Sequence, residues 1–148
     1  MNQAMAFTGL RPFKLPQGWD NENTQGLTLR NEIMRHVKDL ITKKRITDFY
    51  VGMANGSDLL CASVIIELKN GISNLALEAA VPFPNQEKLW PERDQRLYRR
   101  YSINATLNWC FSMNTRKNFI FKGINIWLTW PMFFSRFGTG KREERQTP

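Results

Sequence analysis

YVGMANGSDLLCASVIIELK, residues 50–69, changes character twice over a short span. It leaves a run of β-formers, Thr47-Asp48-Phe49-Tyr50-Val51, through a loop that carries Gly52 and Gly56. It then enters a segment in which Leu59, Leu60, Ala62, Val64, Ile65, Ile66 and Leu68 are apolar. Aromatic and β-branched residues suit a strand. A helix that is apolar on most of its faces is one that is buried. Strand, glycine-framed loop and buried helix together make the repeating unit of an α/β fold.

The flanks repeat the pattern. Upstream, Ala4-Met5-Ala6-Phe7-Thr8 reads as a first strand that ends at Thr8-Gly9. A loop follows, with Pro12, Pro16 and Gly18, and from about residue 27 the spacing of Leu29, Ile33, Val37, Leu40 and Ile41 is helical. Lys43-Lys44-Arg45 suits the C-terminal end of that helix. Downstream, Leu75-Ala76-Leu77-Glu78-Ala79-Ala80-Val81 reads as a third strand. A polar helix then starts near Pro91, a residue suited to a first helical position, and runs to about Tyr101. Alternation of this kind predicts a mostly parallel sheet in a three-layer, Rossmann-like α/β domain, with helices on both faces.

In such a sheet ligands bind beyond the carboxyl ends of the strands. Two loops qualify. In Thr8-Gly9-Leu10-Arg11-Pro12, Gly9 admits a close backbone approach and Arg11 offers a planar fork for a phosphate. The loop over residues 52–58 precedes a helix N-terminus, which attracts anions, and Asp58 or Ser57 is the expected N-cap. Each loop alone is better explained as a tight strand–helix turn. Both at successive strand ends point to a phosphate or nucleotide site.

Three segments then resemble one family. FTGLRPFKL (residues 7–15) is similar to the TGHRPxKL start of YpsA-like proteins of the SLOG superfamily. YVGMANGSDLLCASVIIELK resembles their GMAxGxDxxAAxxxxxLK segment, and AAVPFPNQEKLW (residues 79–90) their xxIPFxxQxxxW segment. Leu10 stands where the family has histidine. The resemblance covers roughly the first two-thirds of the chain. It implies a Rossmann-like fold related to DprA and to lysine-decarboxylase-like nucleosidases. It also implies a pocket for a nucleotide or ADP-ribose-like ligand. Thr8, Gly9, Arg11, Gly52, Met53, Ala54, Asn55, Gly56 and Asp58 would line it, with Phe83, Gln86 and Trp90 as further candidates.

Beyond Tyr101 the composition breaks. Residues 102–148 contain no aspartate, three of the five tryptophans and six of the ten phenylalanines, and most of the net charge of +8. The family continues with a strand, an RNxYMVD segment and a GGT turn, and none of these is present. A shift of reading frame restores them. Joining the third base of each codon to the first two of the next forces Leu at Asn108-Trp109, Val at Trp109-Cys110, Glu at Met113-Asn114, Ala at Trp130-Pro131 and Val at Met132-Phe133. Choices allowed by the remaining codons spell RNKYMVDMADVLLAVWDGKTGGTANT in order. The expectation is therefore an N-terminal SLOG part over residues 1–101 and a frameshifted basic, aromatic tail over residues 102–148. Sheet strands contributed after residue 101 are expected to be missing or replaced.

The functional expectation is a sensor or signalling domain that binds a nucleotide-derived small molecule. The alternatives are DprA-like binding of single-stranded nucleic acid and a non-functional remnant. A basic, aromatic tail suits nucleic acid only if a scaffold aligns it. Residues 119–137 are apolar, but Lys122, Pro131 and Arg136 interrupt them, so no membrane span is assigned. No basic n-region with an apolar h-region opens the chain, and Cys61 and Cys110 make neither a disulfide framework nor a metal site, so a reduced, cytoplasmic protein is expected. His36 lies within the first helical pattern and reads as a helix residue. No nucleophile–base pair is visible, and no catalytic residue or metal is assigned.

Overall fold

A computed structural model describes residues 4–7, 15, 24–110 and 126–128. The elements are β1 (Ala4–Phe7), α1 (Thr24–Lys44), β2 (Asp48–Val51), α2 (Ser57–Lys69), β3 (Ala76–Val81), α3 (Glu92–Asn104), β4 (Leu107–Cys110) and β5 (Ile126–Leu128). The strands form one sheet in the order β4-β3-β2-β1-β5, and every neighbouring pair is parallel. The α/β, Rossmann-like expectation holds.

The register sets the core. Met5 pairs with Phe49 and Phe49 with Leu77; Phe7 pairs with Val51 and Val51 with Ala79. Side chains alternate across a strand, so these residues share one face. All six are buried, and the Phe7 and Phe49 rings stack with centroids 5.9 Å apart. From β1 to β4 each new strand is added on the same side of the last. Right-handed crossovers then place α1, α2 and α3 on one face of the sheet. α1 turns Leu29, Ile33, Val37 and Leu40 inward. α2 lies between α1 and α3, which explains why so few of its positions are polar: every residue from 57 to 62 is buried, and so are Val64 and Ile65. Helices on the opposite face, expected from the sequence, lie outside the described residues.

Some boundaries differ from expectation. α1 begins at Thr24, earlier than its apolar period, because Thr24 and Gln25 carry no periodic signal. Ile41, expected on the buried face, is only half-buried. Pro91 is the N-cap of α3 at φ −53 and ψ 144, not its first helical residue. α2 is capped by Gly56, at φ 105 and ψ −133, with no side-chain cap bond, so neither Asp58 nor Ser57 is the N-cap. The left-handed φ suits glycine, and the helix starts directly after it.

Residues beyond 101 contribute the outer strands, β4 beside β3 and β5 beside β1. These stand where strands were expected to be missing or replaced. The entry to β4 is well tied. Thr106 N–H donates to the Leu77 carbonyl at 2.7 Å, Leu77 N–H donates to Thr106 Oγ1 at 3.0 Å, and Lys69 Nζ reaches Thr106 Oγ1 at 3.0 Å. The strand itself buries little: Leu107 is 51% exposed, and Asn108 and Cys110 are exposed.

Candidate functional site

The loop over residues 52–58 leaves the carboxyl end of β2 and enters α2. It is tightly constrained. Met53 lies at φ 58 and Gly56 at φ 105, both left-handed. Such a conformation persists only when its surroundings hold it. Met53 is fully buried and anchors the loop in the core. The first helical bond, Leu60 N–H to the Gly56 carbonyl at 3.2 Å, marks the positive end of the α2 dipole. Asp58, in the first turn, is buried and accepts the Ala54 N–H at 3.4 Å.

The segment after β3 closes the loop from the other side. Gln86 is buried, and its Nε2 donates to the carbonyls of Gly52 at 3.2 Å and Met53 at 3.0 Å. Asn55 Nδ2 donates to Asp94 Oδ2 on α3 at 2.8 Å. Asn55 is 8% exposed, yet its Oδ1 is buried with no hydrogen-bond partner. An unpaired buried acceptor is costly and marks a place where a donor is missing.

The structure thus brings Gly52, Met53, Ala54, Asn55, Gly56, Asp58 and Gln86 together. Phe83 is 40% exposed. Trp90 is half-buried and meets the Tyr98 ring edge-on at 5.7 Å, a packing contact on α3. Thr8, Gly9 and Arg11 lie outside the described residues. β1 nevertheless exits beside β2, since Phe7 pairs with Val51. Asp94 and Tyr98 were not singled out from the sequence. Asp94 meets a partner 39 positions away, and no local pattern announces such a contact.

The titratable groups near the loop are tuned by burial. Burial pushes the Tyr98 phenol above its ordinary range, and the nearby Glu87 charge pushes it further; the phenol faces Ser102 and Gln86. The Cys61 thiol is pushed well up by burial and then by Asp58, so it is a packed core group and no nucleophile. His36 lies on α1. Among the described residues no group of three His, Cys, Asp or Glu could hold a metal ion, and no helix is long and apolar enough to cross a membrane. A separate open, apolar cavity of about 430 Å³ lies between α3 and β4, lined by Val81, Tyr98, Ser102, Ile103 and Cys110 among others.

The model of the YpsA family, described as the YspA SLOG family, matches residues 5–124. No curated protein matches the chain.

Proposed function

The chain belongs to the YpsA family of SLOG proteins, and on that premise we propose that it is a sensor or signalling domain whose loop over residues 52–58 receives a nucleotide-derived small molecule. The reading rests on one observation: a strained, doubly clamped loop at a strand's carboxyl end, opening on the N-terminus of a helix, with the Asn55 acceptor unpaired. Backbone N–H groups and the dipole favour an anionic group there. The Asp58 carboxylate opposes an anion in direct contact with it, so a ligand meeting both would turn hydroxyls toward Asp58 and its phosphate toward the α2 backbone. Phosphorylated ribosides have both groups. The test is thermal melting of the full chain with ADP-ribose, AMP, inorganic phosphate and a single-stranded oligonucleotide. Stabilisation by the ribosides at concentrations well above Kd, with none from phosphate alone, supports the reading. Stabilisation by the oligonucleotide alone, falling steeply with salt, would replace it with single-strand binding.

A second reading concerns the last third of the chain. β1, β2 and β3 bury one face each, whereas Leu107, Asn108 and Cys110 on β4 are exposed beside an open apolar cavity. A strand shaped for that place would carry apolar residues on the side facing α3. The shifted frame supplies Leu and Val across Asn108, Trp109 and Cys110, forced by the genetic code. On this reading the intact product carries an apolar β4, and the present chain is a frameshifted form that is weakened or inactive. Sequencing the gene around the codons for residues 100–104 decides it. An open shifted frame spelling RNKYMVD supports it, and stops in that frame sink it.

A further inference from the structure

We infer that Gln86 and Asp94 are positioning residues for the loop over residues 52–58, holding its backbone in the conformation that meets the ligand without themselves forming the pocket. This rests on the ligand-binding reading of the loop. A trans peptide points its C=O and N–H in opposite directions. All peptides described here are trans. Gln86 Nε2 draws the carbonyls of Gly52 and Met53 toward itself, at 3.2 and 3.0 Å. The amides of the same two peptides, those of Met53 and Ala54, are therefore turned to the other side of the loop. The Ala54 amide is seen there, directed at Asp58 Oδ2. The buried Asp58 carboxylate takes the Ala54 amide on that side, so what Gln86 fixes is the course of the loop backbone between β2 and α2. Met53 at φ 58 is what lets both carbonyls face one donor, and that conformation is unfavourable without the donor.

Asp94 fixes the next residue. It accepts Asn55 Nδ2 at 2.8 Å and so leaves Oδ1, the remaining polar atom, as the unpaired one. The two anchors come from different places, the turn after β3 and the first turn of α3. The Tyr98 phenol also faces Gln86. Gln86 and Asp94 thereby hold the loop's conformation by side-chain hydrogen bonds additional to the backbone bonds of the helices and strands.

The experiment compares full-length wild type with Gln86→Met, Asp94→Ala and Asp94→Asn, using backbone NMR and titration with ADP-ribose. Gln86→Met keeps the volume and removes both donors. The order parameters of Met53 and Ala54 are expected to fall from the rigid range near ~0.85 to below ~0.6, while Val64 and Ile65 in α2 stay rigid. ADP-ribose binding is expected to weaken about tenfold, the scale of one lost hydrogen bond. Asp94→Ala should loosen Asn55 in the same way. Asp94→Asn keeps an acceptor and should restore wild-type order and binding, a rescue that separates geometry from charge. Because α3 contains no fully buried residue and Asp94 is only half-buried, its variants report even if Gln86→Met fails to fold. Unchanged order at residues 53–55 in the variants would overturn the inference, and so would equal loosening of Val64 and Ile65. If wild type does not bind ADP-ribose, the ligand reading fails, while the order parameters still decide whether the clamp exists.

Discussion

A Cβ placed on Gly52 would lie 2.9 Å from Asp58 Oδ2. Gly52 is not in a left-handed conformation, so its constraint is steric: the space beside it belongs to the Asp58 carboxylate. Asp58 is 7% exposed and engaged with the Ala54 amide, so it has little freedom to retreat. Gly52→Ala should therefore displace the carboxylate and disturb the loop. The expected cost is about 1–3 kcal/mol of stability, the range for overpacking, together with weaker ADP-ribose binding. Urea unfolding and titration measure the two effects, and a variant identical to wild type in both would mean the carboxylate moves aside freely.

Arg45 and Met53 share a backbone conformation, φ 54 and φ 58, but should respond oppositely to glycine. Arg45 follows α1 and is exposed; the next residue, Ile46, is fully buried and donates its N–H to the Leu40 carbonyl at 3.2 Å, six residues back. Arg45 is thus a left-handed residue directly after a helix, a position where glycine is the favoured residue. Arg45→Gly should raise stability by about 0.5–1 kcal/mol, as relief of left-handed strain slightly exceeds the entropy cost. Met53→Gly gains the same relief but empties a fully buried site, so a net loss of about 2–4 kcal/mol is expected. Shifts in the urea midpoint with unchanged slope would confirm both signs.

The two thiols should differ sharply in reactivity. Cys110 is exposed, whereas Cys61 is fully buried and its thiol is held well above its ordinary value, first by burial. Only the thiolate reacts. Titration with a thiol reagent near neutral pH should label Cys110 quickly and Cys61 only on unfolding. Fast labelling of both would show that α2 is not packed as described.

The fold was legible because its signals are periodic. Leu29, Ile33, Val37 and Leu40 mark α1, and the apolar run after Gly56 marks α2 as the central helix. What escaped was set by tertiary contacts. The N-cap of α2 falls on Gly56 because the chain must turn through φ 105 there, which the preference for Ser or Asp caps does not anticipate. The residues of the 52–58 loop were legible from glycine spacing and strand position. Their supports were not: Gln86 and Asp94 reach the loop from 33 and 39 positions away. The sequence offers Gln86 only as a further candidate for ligand contact, whereas its amide is turned to the loop's own carbonyls.

His36 should make stability sensitive to mild acid. Burial holds its pKa below the ordinary 6.5; the Arg35 and Lys44 charges add to this, and Asp39 and Glu32 oppose it. The unfolded chain therefore binds a proton at a higher pH than the folded one. Stability falls wherever the unfolded state takes up more protons, so it should decline as pH drops below about 6.5 and level off once the folded protein also protonates. The sign is opposite to that of a histidine in an ion pair, which would gain stability from protonation. Urea midpoints measured from pH 7.5 down to about 5, above the range in which most carboxylates titrate, isolate the effect. His36→Gln, uncharged throughout, should show a flatter profile than wild type. Equal slopes in the two proteins would mean that the imidazole is as well solvated in the folded chain as in the unfolded one.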